Sequence, residues 1–170
     1  APERAPPWQQ DLPYLPLGGT HVVTVWLNLD PLPREASLEF IRGSHRGPLY
    51  NPTAFDARDP RAAMYAEGVW PQLPDIEADR TAWEIVSWRI EPGDAVIFHP
   101  AVLHGGAATR AGGRRRSISL RFIGDEAYVA ERPEEGPPVS PEAVELDPMQ
   151  ELSRRPPGTP FRHAAFPQVY

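Results

Sequence analysis

Alternating apolar and polar residues predict several β-strands along this chain. The clearest run is residues 20–30, THVVTVWLNLD, in which every second residue is a valine or leucine. A period of two places these residues on one face of a strand and their neighbours on the other. The prolines at 31 and 33 end the run, because proline cannot donate a hydrogen bond to a strand ladder.

Further short strands are predicted after this one, and turn residues separate them. They comprise residues 37–42, 82–90, 95–98 and 115–122. Residues 48–81 are broken by prolines and are interpreted as an insertion, with one short helix predicted at 59–68 that Asp59 would cap. Many short strands with almost no helix indicate an all-β barrel or sandwich.

Proline content divides the chain into two parts. Residues 1–130 carry the predicted strands and are expected to form the core domain, from which an N-terminal part may be missing because the chain begins at Ala1. Residues 131–170 are rich in proline and acidic residues, so an extended tail is expected to wrap the barrel without a core of its own. Its last apolar residues predict that the end of the tail docks on the barrel.

Composition excludes several classes of function. The 170 residues suffice for one domain, and 17 basic against 23 acidic residues give a net charge of -6, which argues against a nucleic-acid or anionic-membrane surface. Cysteine is absent, so any metal must be held by histidine, carboxylate or amide groups. No apolar run approaches membrane-spanning length and no signal pattern is present, so a cytoplasmic location is expected. The oligomeric state is not predicted.

Three residues around the predicted strands could carry chemistry. Asp11 precedes the strong strand, His104 follows the strand at 95–98, and Arg115 opens the last strand. Taken singly, each has an ordinary interpretation: a turn aspartate, a loop histidine and a surface arginine. On the last strand, however, Arg115 shares a polar face with Ser117, a pattern that suits a barrel whose interior is a binding site.

Five segments in order resemble the phytanoyl-CoA dioxygenase family of Fe(II)/2-oxoglutarate oxygenases. They are WQQDLPYLPLGG, VVTVWLNLD, LEFIRGSHRG, GDAVIFHPAVLHGG and RRRSISLRF. The resemblance covers residues 8–122 and implies a double-stranded β-helix, a barrel of the jelly-roll or cupin type. It also implies that Asp11 and His104 hold Fe(II), and that Arg115 binds the distal carboxylate of the co-substrate 2-oxoglutarate. A planar guanidinium is well matched to a carboxylate.

One position departs from the family pattern. The family holds iron with His-x-Asp and a distant histidine, whereas this chain has Gln9 where the first histidine would be. An amide oxygen can ligate a metal but is a poorer ligand for Fe(II) than imidazole. Two explanations of Gln9 are open: it is an engineered change, or it is the natural residue of a relative that lost iron chemistry. Alternatively His21 or His99 stands in as the third ligand.

The resemblance implies weaker roles for further residues. Trp26 and Ser117 are expected beside the co-substrate, although a tryptophan on an alternating strand is more often a core residue. Gln10 and Tyr14 adjoin the metal motif and are expected to touch substrate. Arg114 and Arg116 flank Arg115, and Arg116 remains an alternative for the co-substrate arginine.

Two functions from different classes follow. The first is an Fe(II)/2-oxoglutarate-dependent hydroxylase of a small organic molecule, impaired by Gln9 and restored by Gln9→His. The second is a non-catalytic barrel of the same family that binds a small molecule or partner without turnover. The substrate is not identified by the sequence. No basic or phosphate-binding loop for a coenzyme A group is evident.

Overall fold

A computed structural model describes residues 7–54, 62–106, 115–133 and 148–169. In chain order its strands are β1 (Leu17–Gly18), β2 (Val22–Asn28), β3 (Glu39–Ile41), β4 (Ile85–Val86), β5 (Ala95–Phe98), β6 (His104–Gly105), β7 (Ser117–Ile123) and β8 (Tyr128–Val129). The one α-helix of the described part is α1 (Pro148–Ser153), and short 3-10 turns connect several strands. The chain is therefore mainly β, as predicted.

Two three-stranded sheets form the barrel walls. One has the order β5-β2-β7 and the other β4-β3-β6, while β1 and β8 form a separate pair. All pairings within these sheets are antiparallel. The long strand β2 lies at the centre of the first sheet because its seven residues alternate without a proline, so both of its edges can be paired.

The main core lies between the two three-stranded sheets. Its buried cluster consists of Trp26, Leu32, Leu38, Phe40, Ile90 and Val102. The rings of Phe40 on β3 and Phe98 on β5 lie 5.0 Å apart, which joins the sheets across the interior. Aromatic side chains bury large apolar areas, so this contact stabilises the face-to-face packing.

Residues of the C-terminal segment contribute to a second core. Leu152 of α1 and Phe161 are 0% and 3% exposed. Their cluster also contains Leu12, Leu17, Val22, Ala101, Ala127 and Val129. Leu152 and Phe161 therefore pack on residues from the first part of the chain, whereas Val169, near the end of the segment, is 71% exposed and does not dock as expected. The division into domains at residue 130 stays a prediction.

The sheet β5-β2-β7 has an unusual distribution of polarity. Thr24 and Asn28 of β2 point inward with Trp26, and their neighbours on β7 across the ladder are serine and arginine. The opposite face is apolar, and Ile97 and Leu120 are 66% and 45% exposed there. A sheet with one face in solvent normally has the reverse pattern. The polar inward face indicates an interior that receives polar groups.

The structure differs from the sequence prediction in three places. The strand expected at 82–90 is only β4, because a 3-10 turn occupies Ile76–Ala82 and pairing resumes for just two residues. The helix expected at 59–68 is wrong for residues 62–68, which form a bridge and turns; Asp59 lies outside the described residues. The tail, expected to be extended, contains α1. No helix in the described ranges has the length and apolarity needed to cross a bilayer.

Candidate metal and co-substrate site

A short β-bridge between Gln9 and His104 brings Asp11 close to His104. The Gln9 backbone N–H donates to the His104 carbonyl at 2.8 Å, and the His104 N–H donates back to the Gln9 carbonyl at 2.9 Å. Asp11 is held in turn by a hydrogen bond from its N–H to the Pro100 carbonyl at 2.9 Å. These backbone bonds fix two segments that lie about ninety residues apart in sequence, so the placement of the two side chains does not depend on a mobile loop.

The side chains of Asp11 and His104 converge. Asp11 Oδ1 lies 3.4 Å from His104 Nε2, and their side chains are 19% and 7% exposed. The other ring nitrogen, Nδ1, lies 3.0 Å from the Val102 carbonyl. A carbonyl only accepts, so Nδ1 carries a proton and donates it to that carbonyl, while Nε2 is the ring nitrogen that faces the carboxylate. A proton or a metal cation between Nε2 and the carboxylate would join the two groups.

The separation of these two atoms suits a shared metal ion. Metal bonds from imidazole nitrogen and carboxylate oxygen of about 2.0 to 2.2 Å, at right angles, place two donors about 3 Å apart. The observed 3.4 Å between Asp11 Oδ1 and His104 Nε2 is close to that value. The two residues therefore fit as neighbouring ligands of one metal.

Arg121 completes the surroundings of Asp11. Its Nη2 donates to Asp11 Oδ2 at 2.9 Å, on the side of the carboxylate away from His104. Burial raises the pKa of Asp11, but hydrogen bonds and charge from His104 and Arg121 outweigh it and hold that pKa below its ordinary value. Asp11 is thus an anion at neutral pH. No role for Arg121 is predicted from the sequence, although it shares the polar face of residues 115–122 with Arg115, which was a usable signal.

Two aromatic rings shield His104 from water. The Phe98 ring centroid lies 5.2 Å from the imidazole centroid, and the Phe40 ring lies 6.0 Å away in a stacked orientation. Phe98 points inward because its cross-strand partner, Thr24 of β2, points inward and paired residues share a face of the sheet. These rings give the site a dry wall, which strengthens electrostatic interactions within it.

Gln9 faces a neighbouring cleft. The cleft is small, with a volume of about 10 Å³, enough for about one water molecule, and its lining comprises Trp8, Gln9, Gln10, Tyr50, Asn51, Pro52, Thr53 and Leu73. Within the described ranges, no group of three histidine, cysteine, aspartate or glutamate residues could hold a metal ion. The third ligand therefore stays a prediction.

Gln10 is held by backbone groups. Its Nε2 donates to the carbonyls of Ala101 at 2.7 Å and Pro48 at 3.2 Å, and its Oε1 accepts from the Tyr50 N–H at 2.9 Å. Gln10 is 3% exposed. Because both ends of the amide are engaged, these bonds favour a structural role that ties the Asp11 loop to its neighbours. The expected substrate contact of Gln10 stays a prediction.

Tyr14 contacts Thr53, one of the residues that line the same cleft. Its hydroxyl accepts from the Thr53 N–H at 3.1 Å and lies 3.2 Å from Thr53 Oγ1. Burial raises the pKa of Tyr14, so the phenol is neutral at physiological pH. A neutral hydroxyl beside a cleft next to Asp11 is compatible with the expected substrate contact, which stays untested.

The neighbouring arginines have different surroundings. Arg116 grips Asp30 through Nε at 3.1 Å and Nη2 at 2.9 Å, and its side chain is 53% exposed. The Arg115 guanidinium instead lies 5.2 Å from the Trp26 ring centroid, and burial lowers its pKa. Ser117 follows on the same face of the strand. This arrangement favours Arg115 over Arg116 for the co-substrate carboxylate. Arg114 lies outside the described residues.

The alternative histidines have other partners. His21 Nε2 lies 3.2 Å from Glu126 Oε2, and the His21 side chain is 50% exposed. His99 Nδ1 accepts from the Ala101 N–H at 3.1 Å, and its ring lies 6.0 Å from that of His45. Burial lowers the pKa of His99. These contacts give neither histidine a link to Asp11.

Comparison with known proteins identifies relatives. A family model described as phytanoyl-CoA dioxygenase (PhyH) matches residues 1–117. A probable phytanoyl-CoA dioxygenase of Caenorhabditis elegans is 30% identical over 122 residues, which cover 71% of this chain and 36% of that protein. The human peroxisomal phytanoyl-CoA dioxygenase is 27% identical over 124 residues, 72% of this chain and 34% of that protein. The chain thus spans about a third of the length of these relatives.

Solved structures share the fold. The non-heme alpha ketoglutarate dependent carbocyclase SnoK from nogalamycin biosynthesis aligns with a TM-score of 0.58 at 20% identity, covering 94% of this chain and 53% of SnoK. EvdO2 of Micromonospora carbonacea var. aurantiaca, complexed with 2-oxoglutarate, aligns at 0.53 and 23% identity, covering 77% of this chain and 49% of that protein. The expected jelly-roll or cupin-like barrel is thereby confirmed.

Proposed function

The chain belongs to the phytanoyl-CoA dioxygenase family, and on that basis we propose that it forms the metal-binding barrel of an Fe(II)/2-oxoglutarate-dependent oxygenase. The observation that carries this proposal is the convergence of Asp11 Oδ1 and His104 Nε2 at 3.4 Å inside the barrel. These atoms would hold the iron, with the amide oxygen of Gln9 as a weaker third ligand. Bound iron would supply the oxidation chemistry, consuming O2 and 2-oxoglutarate and giving succinate and CO2.

The residues of this chain would prepare that site. The Val102 carbonyl holds the proton of His104 on Nδ1, which leaves Nε2 available to the metal. Arg121 holds the outer oxygen of Asp11, so that the inner oxygen faces His104. The rings of Phe40 and Phe98 keep water from that side.

The co-substrate would lie along the inner face of β2. Arg115 would receive its distal carboxylate, because a partly buried guanidinium binds an anion more strongly than one in water. Trp26 packs beside that guanidinium, and Ser117 follows on the same strand face. The substrate would be a small organic molecule.

A second function is supported by two observations. Gln9 supplies an amide where an imidazole would be expected, and Arg121 forms an ion pair with Asp11 at 2.9 Å. An ion pair and a histidine can satisfy the carboxylate without iron. The alternative is therefore a non-catalytic barrel that binds a small molecule without turnover. A cytoplasmic location also stays a prediction.

Restoring the histidine tests the proposal. We expect Gln9→His to raise Fe(II) affinity in anaerobic titrations by about 10- to 100-fold, and to raise O2-dependent conversion of 2-oxoglutarate to succinate. Gln9→Asn, which keeps an amide, is the matched control and should give no gain. Adding Asp11→Asn to Gln9→His should abolish both gains. If Gln9→His neither binds Fe(II) nor consumes 2-oxoglutarate, the oxygenase proposal is wrong.

A further inference from the structure

Two buried polar side chains on the inner face of β2 lack partners. Thr24 and Asn28 are 1% and 0% exposed. Among the residues that the structure describes, Thr24 Oγ1 and both amide atoms of Asn28 make no hydrogen bond. Buried amides in folded proteins are nearly always bonded, and leaving one unbonded costs stability. Because neither atom of the Asn28 amide has a hydrogen-bond partner, the amide is available to bind a polar group of a ligand.

The strand register places Asn28 next to Arg115. Asn28 of β2 is opposite Ser117 of β7. The ladder continues past the strand end, since the Leu29 N–H donates to the Arg116 carbonyl at 3.0 Å. Alternate residues share a face, so Arg115 lies one step beyond Ser117 on the face that carries Asn28.

The Arg115 side chain then runs back along that face. Its Cζ lies 5.2 Å from the ring centroid of Trp26. Trp26 is two residues before Asn28, so Asn28 lies between the backbone of Arg115 and the ring that its guanidinium reaches. A cation and an unbonded amide thus occupy the same stretch of the barrel interior.

Thr24 belongs to the other end of the face. It is opposite Arg121 and Phe98, the residues beside Asp11 and His104. Thr24 and Asn28 are four positions apart on the strand, which corresponds to a distance of about 13 Å. The side chains of Thr24 and Asn28 are therefore too far apart to hydrogen-bond to each other. Asn28 lies where the end of a ligand farthest from the metal would be.

We propose that the Asn28 side-chain amide donates a hydrogen bond to the distal carboxylate of a 2-oxo diacid that Arg115 binds. This inference rests on the proposed function, and it adds a selectivity residue to the co-substrate site. A carboxylate has lone pairs for both the guanidinium and the amide, whereas a methyl group at the same place has none. Asn28 thereby favours 2-oxoglutarate over a 2-oxo monoacid of the same length.

The test compares two ligands and two variants. Dissociation constants of 2-oxoglutarate and 2-oxopentanoate are measured by calorimetry with excess Mn²⁺, for the unaltered chain and for Asn28→Leu. We expect Asn28→Leu to weaken 2-oxoglutarate binding by about 10- to 100-fold, as for loss of a hydrogen bond to a charged group, and to change 2-oxopentanoate binding by less than about threefold. Ser37→Ala removes another buried unbonded oxygen, outside the site, and should alter neither constant.

A stability measurement separates this role from a structural one. Replacing an unbonded buried amide by leucine should leave the melting temperature of the ligand-free protein unchanged or higher, because no native hydrogen bond is lost. Unaltered 2-oxoglutarate binding in Asn28→Leu, or an equal loss for both ligands, would overturn the role of Asn28 alone. If neither the unaltered chain nor Gln9→His binds 2-oxoglutarate, the proposed function fails together with this inference.

Discussion

Leu152 offers a test of how the C-terminal segment is attached. It lies on α1 and is 0% exposed, while the two residues that flank it on the helix are exposed. A helix of six residues has little stability by itself, so tertiary packing must hold it. Leu152 is the fully buried residue of this helix and therefore its main anchor.

The expected cost of Leu152→Ala follows from its burial. Truncating a fully buried leucine to alanine typically destabilises a protein by about 2 to 5 kcal/mol, because transfer energy is lost and a cavity remains. For a chain of this size each kcal/mol lowers the melting temperature by about 2 to 4 °C, so a fall of about 5 to 15 °C is expected. The cavity would open beside Leu12 and Leu17, which share the cluster.

Differential scanning calorimetry and urea unfolding measure this effect. Val169→Ala is the matched control, since it lies in the same segment and is 71% exposed. It should shift the free energy of unfolding by less than about 0.5 kcal/mol. Hydrogen exchange should also speed up around Leu17 in Leu152→Ala. Equal melting temperatures for the two variants would refute the reasoning that α1 is part of the core.

Two further predictions concern the candidate metal site. Gly105→Ala would place a Cβ 2.9 Å from the Cα of Trp8. We therefore expect the free energy of unfolding to fall by about 1 to 3 kcal/mol and Fe(II) binding to weaken. Unchanged stability and unchanged Fe(II) binding would show that the Trp8 segment can move aside. Arg121→Met removes the hydrogen bond to Asp11, so Fe(II) affinity in anaerobic titration should fall by about 10- to 100-fold. The control, Arg42→Met, breaks an exposed ion pair and should leave the Fe(II) affinity unchanged. Equal affinities for the two arginine variants would contradict the positioning role of Arg121.

Local patterns predicted the elements whose sequence period was undisturbed. The run around β2 and the apolar stretch at β5 appear close to the expected bounds, since alternation specifies a strand wherever two partners are available. The region after residue 75 was mispredicted. There, β-branched and aromatic residues suggested a strand from 82 to 90, but pairing of Phe40 with Val86 and Ile41 with Ile85 limits β4 to two residues.

The C-terminal segment was also mispredicted from its local sequence. Proline content indicated an extended chain, and the six residues of α1 carry no strong periodic signal. What makes them helical is the pocket that accepts Leu152, and that pocket is built from residues far away in sequence. Local propensity is weak compared with such packing.

The chemical groups available follow from the amino-acid sequence alone: no thiols, five histidines, 23 carboxylates, and a strand with a face of arginines and serines. Through its ordered motifs it also indicated the family. Only the tertiary structure decided which groups meet, namely that Asp11 lies between His104 and Arg121, and that Asn28 lies unbonded near Arg115. The physical reason is that strand pairing brings together residues about a hundred positions apart, and such distances are fixed by register and packing rather than by local sequence.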